Sequence, residues 1–188
     1  MNLKKLVTAA VCTMLMAAVA FTAGCGGEKK SDKKVLKVGM ECAYAPYNWS
    51  QTKADGGAVK IAGSNEYAYG YDVMMAKKLA DSMGADLEIH KIEWDGLAPA
   101  VVSGKIDAAI AGMSITSKRK ETVDFTKPYY YATVVALVKK DSEQAKAQSV
   151  ADLKGSVATS QLNTIWYDQI DQVPDVKKLP AIETVPGM

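Results

Sequence analysis

Residues 107–130, DAAIAGMSITSKRKETVDFTKPYY, put a short apolar run, a glycine, several hydroxyls and three consecutive cations into one stretch of chain. Few local structures satisfy all of these together. Ala108 through Ala111 have the length and bounding of a buried strand, which Gly112 ends in a hydroxyl-rich turn. A short helix is expected next, with Thr116 or Ser117 at its N-cap and Lys118, Arg119 and Lys120 in its first turn. Cations at that end oppose the helix dipole. One resolution is an anion held there by free backbone N–H groups, by the hydroxyls of Ser114 and Thr116, and by a guanidinium gripping a carboxylate through two parallel bonds. The other is a solvated basic turn.

The segments before this stretch alternate between the two periodicities. Val35 to Met40 reads as a strand, and a polar, glycine-containing excursion through Gly57 and Gly63 reads as a hairpin or long loop. Asp72 is expected to cap a helix whose inner face is Val73, Ala76, Ala80 and Met83 and whose stop is Gly84. Residues 86–92 then read as a strand, 97–102 as a short helix and 106–111 as another strand. Such alternation with short connections implies a mainly parallel α/β sheet. Ligands of open parallel sheets bind beyond the carboxyl ends of the strands. Residues 41–44, 93–95 and 112–119 are therefore expected to meet in one crevice.

The N-terminus has a different character. Lys4 and Lys5 precede an apolar run, and Thr22-Ala23-Gly24 offers small residues before Cys25, so residues 1–24 read as an export signal. A spanning helix needs about 20 apolar residues and does not usually end in Gly-Cys-Gly-Gly. Residues 25–34 are a charged, core-free tether. The formal net charge of +2 falls to zero when the two lysines of the signal leave, and no basic stripe with interleaved aromatics remains, which argues against nucleic acid. Cys12 departs with the signal, so once Cys25 is set aside Cys42 is the last thiol of the folded part and forms no intramolecular disulfide. His90 stands without Cys or His at ligand spacing and is placed on the polar face of a strand, so neither a metal nor a cofactor is expected.

After Pro128, residues 131–139 are an extended, β-branched run read as a crossing into a second lobe. A strand at 156–160 and a helix at 165–170, opened by Gln161-Leu162-Asn163-Thr164, follow. Again a strand end meets a helix N-terminus, the geometry that suits an anion.

Ala111-Gly112-Met113-Ser114-Ile115-Thr116, then Lys118-Arg119-Lys120, then Val123-Asp124-Phe125-Thr126, then Pro128-Tyr129-Tyr130 closely resemble the signature of the extracytoplasmic amino-acid-binding proteins of ABC importers. The resemblance covers roughly residues 35–188 and implies a two-lobed, periplasmic-binding-protein-like (type II) α/β fold with mainly parallel sheets. On it, residues 35–131 are the first lobe and 132–188 a second lobe that is only part built. The family's motif assigns Ser114 and Arg119 to the ligand's α-carboxylate, Thr164 to the same group from the second lobe, and Gly112 to the α-ammonium as a backbone acceptor. Tyr44 and Trp94 match the aromatic positions that sandwich the ligand side chain, and Glu41 the acidic position near its tip. Tyr44 and Trp94 can instead cover the core edge, and Glu41 can be a solvated loop carboxylate. Leu162 stands where the family usually has glycine. Members of the family continue further and supply an aspartate for the ammonium, so the chain reads as a fragment of such a protein. The first segment is similar to a bacterial lipoprotein signal with Cys25 as the lipidated residue, although Thr22 replaces the usual leucine; a plain signal peptide is the alternative.

The implied function is capture of an amino acid between two lobes, which close by a hinge motion, and delivery to the permease of an ABC transporter. The protein is then a monomer, not an enzyme, and is lipid-anchored outside the cell membrane. Glu41 with flanking aromatics suits a cationic, planar side chain such as arginine. An acidic residue there also occurs in glutamine binders. Two other classes are an enzyme on the same scaffold, similar to periplasmic cyclohexadienyl dehydratase and using Glu41, Glu93 or Asp95, and the sensing domain of a signalling receptor. If Cys25 is lipidated, Cys25→Ala should move the protein to the soluble or secreted fraction and abolish labelling by a fatty-acid probe. Unchanged membrane retention of the variant would remove the lipoprotein reading.

Overall fold

Along β1 (Val35–Met40), Leu36 and Val38 are buried between exposed Val35 and Lys37, so the period of two becomes burial, and Gly39 and Met40 at its end are buried together. Val38 and Met40 have no exposed surface, whereas Val35 keeps 47%. The computed structural model describes residues 33–187; the expected signal, most of the tether and Cys25 lie outside them.

Between β1 and the first helix lie β2 (Ala43–Tyr44), β3 (Asn48–Gln51), β4 (Val59–Lys60) and β5 (Tyr67–Tyr69). They form an antiparallel sheet in the order β2-β3-β5-β4, where a hairpin or loop was expected. Its strands are too short to carry a legible period.

α1 (Tyr71–Met83) starts at Gly70, whose φ of 128° and ψ of −176° belong to glycine. A Cβ there would sit 2.3 Å from the Tyr47 carbonyl oxygen. Asp72 does not cap this helix, contrary to expectation. The entrance is closed by backbone, Tyr71 N–H donating to Pro46 and Asp72 N–H to Tyr47, and the Asp72 side chain turns inward with no exposed surface. Val73, Ala76 and Ala80 are buried as expected, but Met83 is exposed because it is the last residue before Gly84, at φ 62°, turns the chain away.

β6 (Asp86–Lys91), α2 (Leu97–Val102) and β7 (Ala108–Ala109) complete a parallel sheet in the order β6-β1-β7. Ile89, Leu97 and Ile106 are buried with Val38 and Met40, each side chain contributing about 1.5–3 kcal/mol of transfer free energy. The strand expected over 106–111 shortens to β7, although Ile110 N–H still donates to Gly39. α3 (Ser117–Lys120) is capped by Thr116, whose hydroxyl accepts from Arg119 N–H at 3.1 Å.

Residues 131–139 have no sheet partner among the described residues; Tyr131, Val135 and Leu137 are 83%, 80% and 100% exposed. A run of β-branched residues becomes a strand only where a neighbour offers ladder groups. Later, β8 (Val157–Ala158) pairs in parallel with β9 (Lys177–Lys178), and α4 (Ile165–Gln169) lies between them in sequence. Thr164 caps α4 by accepting from Tyr167 N–H at 3.3 Å. Among the described residues no helix is long and apolar enough to cross a membrane.

Gly70→Ala should lower stability by about 1–3 kcal/mol, because no L side chain adopts this backbone without strain. Urea unfolding with an unchanged midpoint would show that the Tyr47 carbonyl yields.

Candidate functional site

The parallel register sets Met40 opposite Lys91 and Gly39 opposite Ala109, so the chain leaves all three strands at one edge. Beyond β1 come Glu41 and Tyr44, beyond β6 the 3-10 turn Trp94–Gly96, and beyond β7 Gly112, Ser114 and Arg119. Glu41, Tyr44, Trp94, Gly112, Ser114 and Arg119 line one cavity together with Thr164. The strand ends converge as expected, and the seven residues expected to bind ligand line the cavity, whereas Thr116 does not and caps α3 instead. Ala111, Gln161, Ile165 and Trp166 line it too and were not predicted.

Arg119 is half-buried on α3. Its Nη1 donates to the Ser114 carbonyl at 2.7 Å, its Nη2 to the Asn163 carbonyl at 2.8 Å, and the guanidinium lies 5.3 Å from the Trp94 ring centroid. Among the described residues Arg119 makes no salt bridge. Desolvation lowers its pKa below the usual arginine value, against the pull of Asp168. The cation is therefore partly stripped of water and answered by neutral carbonyls.

Glu41 is a buried carboxylate, 4% exposed, and not a solvated loop residue. Its oxygen accepts from Gln161 Nε2 at 2.9 Å. Desolvation raises its pKa above the usual 4.5; the Gln161 bond opposes that shift, and the charges of Glu93 and Asp95 add to it. Cys42 beside it is buried as packing, with its thiol pushed up to about 12.

The aromatic walls differ in part from expectation. Tyr44 stacks on Tyr47 at 4.9 Å between centroids and meets Trp166 at 5.9 Å, so a third aromatic joins the pair. Trp94 is covered by Arg119 and donates its indole N–H to the Asn163 carbonyl at 3.3 Å. Asn163, at φ 56°, is a junction: its carbonyl takes Trp94 and Arg119 while its side chain donates to Asp95 at 2.9 Å. Leu162 is 36% exposed and its N–H donates to Ile182. The rule that located Glu41, looking just past a strand end, finds Gln161 when applied after β8. Trp166 falls in the first turn of a helix that opens on the cavity.

Residues 36–178 match the bacterial extracellular solute-binding proteins, family 3. The chain belongs to that family. It is 33% identical over 140 residues to the arginine-binding extracellular protein ArtP of Bacillus subtilis (strain 168), covering 74% of this chain and 49% of ArtP. It is 32% identical over 176 residues to the ABC transporter arginine-binding protein 1 of Escherichia coli (strain K12), covering 93% of this chain and 61% of that protein. The chain thus spans roughly half to three fifths of these relatives. Among solved structures, the ancestral amino acid-binding protein AncCDT-1, a precursor of cyclohexadienyl dehydratase, superposes with a TM-score of 0.67 at 32% identity. That superposition covers 81% of this chain and 63% of the ancestral protein. The periplasmic-binding-protein-like α/β fold is the one these structures share, and every cavity residue falls inside the family 3 match.

Burial of Glu41 has a measurable consequence. A carboxyl whose pKa is raised by folding adds most to stability below its unfolded pKa, and that contribution is lost as pH rises through the folded value. Glu41→Gln removes the titration. The variant should therefore gain stability over the parent as pH rises above 4.5, with the difference levelling off below it. Unfolding midpoints across about pH 4 to 8 test this; a difference independent of pH would mean that Glu41 is solvated.

Proposed function

We propose that this chain captures an amino acid with a cationic side chain, arginine foremost, as the solute-binding component of an ABC importer. The observation that carries the reading is a half-buried guanidinium without a salt bridge and a buried carboxylate in the same cavity. Both groups lose hydration and neither makes a salt bridge among the described residues, and a ligand bearing a carboxylate and a cationic tail supplies a partner for each. Arg119 offers its fork to the α-carboxylate, with the hydroxyls of Ser114 and Thr164 beside it and the Gly112 carbonyl for the α-ammonium. Glu41 takes the tail, flanked by Tyr44 and Trp94, whose faces suit a guanidinium. The names of the Bacillus and Escherichia relatives, both arginine-binding proteins, support this choice of ligand.

In this reading residues 35–131 and 132–188 belong to two lobes that close on the ligand. Thr164, Gln161 and Asn163 come from the second and the other ligand groups from the first. The monomer is held outside the membrane by a lipid on Cys25 and hands its ligand to the permease.

Titration calorimetry of the purified protein with L-arginine, L-lysine and L-glutamine tests the proposal. Arginine should bind most tightly. Arg119→Ala should weaken all three by about 2–5 kcal/mol, since it removes a charge-assisted carboxylate contact, and Arg119→Lys should fail nearly as badly because a point charge lacks the fork. Glu41→Gln should cost arginine about 1–3 kcal/mol and spare glutamine. Arginine affinity within threefold of the parent in Arg119→Ala would end the carboxylate assignment, and indifference to Glu41→Gln would end the cationic one.

A further inference from the structure

We propose, on the reading of the cavity as an amino-acid site, that Asp72 is a positioning residue for it: through Asn48 and Tyr129 its carboxylate holds the backbone at Cys42 and Gly112. These are the points where the chain turns out of adjacent strands into the cavity rim. Cys42 follows Glu41 and precedes the strand carrying Tyr44; Gly112 lines the cavity itself. Both turns use the left-handed region, with φ of 56° at Cys42 and 63° at Gly112. That conformation is uncommon for a residue with a side chain, so Cys42 needs holding. The two turns also press together, since a Cβ on Gly112 would lie 3.3 Å from Cε1 of Tyr44.

Two arms run from the one carboxylate. In the first, Asn48 Nδ2 donates to Asp72 Oδ2 at 2.7 Å and Asn48 Oδ1 accepts from Cys42 N–H at 2.8 Å. In the second, the Tyr129 hydroxyl donates to Asp72 Oδ1 at 2.8 Å and accepts from Gly112 N–H at 2.9 Å. Asn48 and Asp72 have no exposed surface. A carboxylate only accepts, so it fixes which way the Asn48 amide points and commits the single hydroxyl proton of Tyr129. Both arms then arrive at the rim as acceptors, which is what a backbone N–H requires. An isosteric amide has one oxygen in place of two and a donor that faces either Asn48 or Tyr129, so it cannot serve both arms. This role differs from helix capping, because the side chain satisfies no N–H of α1.

Amide hydrogen exchange in the ligand-free protein and arginine affinity test the proposal together. Asp72→Asn keeps at most one arm and should speed exchange at Cys42 or at Gly112 by about tenfold, the factor for one hydrogen bond, while Tyr129→Phe should do so at Gly112 alone. Each should weaken arginine by a similar factor of about ten, and the double variant should be little worse than the worse single one, because the groups act as a unit. Unchanged protection at both amides in Asp72→Asn overturns the inference, as does faster exchange with arginine affinity within twofold of the parent. Tyr129→Phe keeps the ring packing and gives the second arm its own answer should Asp72→Asn not fold. A parent that binds no amino acid, yet loses protection at either amide in Asp72→Asn, would sink the ligand reading while the backbone clamp stood.

Discussion

Parallel pairing of β1 with β6 on one side and β7 on the other is the constraint from which the rest follows. Because parallel neighbours run the same way, the three chains leave the sheet at one edge, and whatever follows each strand must share that edge. β1 lies in the middle, so Glu41 is flanked by the exits carrying Trp94 and Gly112. The antiparallel excursion between β1 and α1 preserves this geometry and adds to it. It folds Asn48 back onto the Cys42 backbone and Tyr47 onto the Tyr44 ring, and its carbonyls close the start of α1.

The cavity holds groups that a stability-driven core would exclude. Glu41 is buried beside the negative charges of Glu93 and Asp95 with an amide as its partner, and Arg119 rests on carbonyls and an indole face. Desolvated charges answered only by neutral dipoles cost stability, and such sites mark places where a protein trades stability for recognition. The neutral partners are suited to exchange. Gln161 and Asn163 hold the charged groups in good geometry, while a ligand of opposite charge offers each a stronger bond than an amide does. Membership in the solute-binding family accords with such a cavity.

Much of the fold was legible because its main elements are long or sharply bounded. β1, α1 with its Gly84 stop, β6, α2 and the Thr116 cap follow from alternation, helical spacing and capping chemistry, each read within a window of a few residues. The antiparallel sheet was not legible, since strands of two to four residues show no period. Met83 fits the helical face and is nevertheless exposed, because spacing cannot tell where the partner surface ends. Residues 131–139 have strand composition and no strand, because a ladder requires a neighbour. At the site, motif and strand-end logic named Glu41, Tyr44, Trp94, Gly112, Ser114, Arg119 and Thr164, but not Trp166, Gln161 or Asn163, whose part depends on what lies opposite them.

By itself, then, the sequence determined which residues carry charge, which segments alternate, where helices start and stop, and therefore which strand ends had to meet. These are local properties, set by side chains within a few positions of one another. Tertiary structure decided which of those charges lose water and what answers them. It buried Glu41 against Gln161 across 120 positions of chain, laid Arg119 over Trp94, and turned Asp72 from a helix end toward Asn48 and Tyr129. Desolvation and hydrogen-bond partnership depend on groups far apart in sequence, and they exist only once the chain has closed on itself.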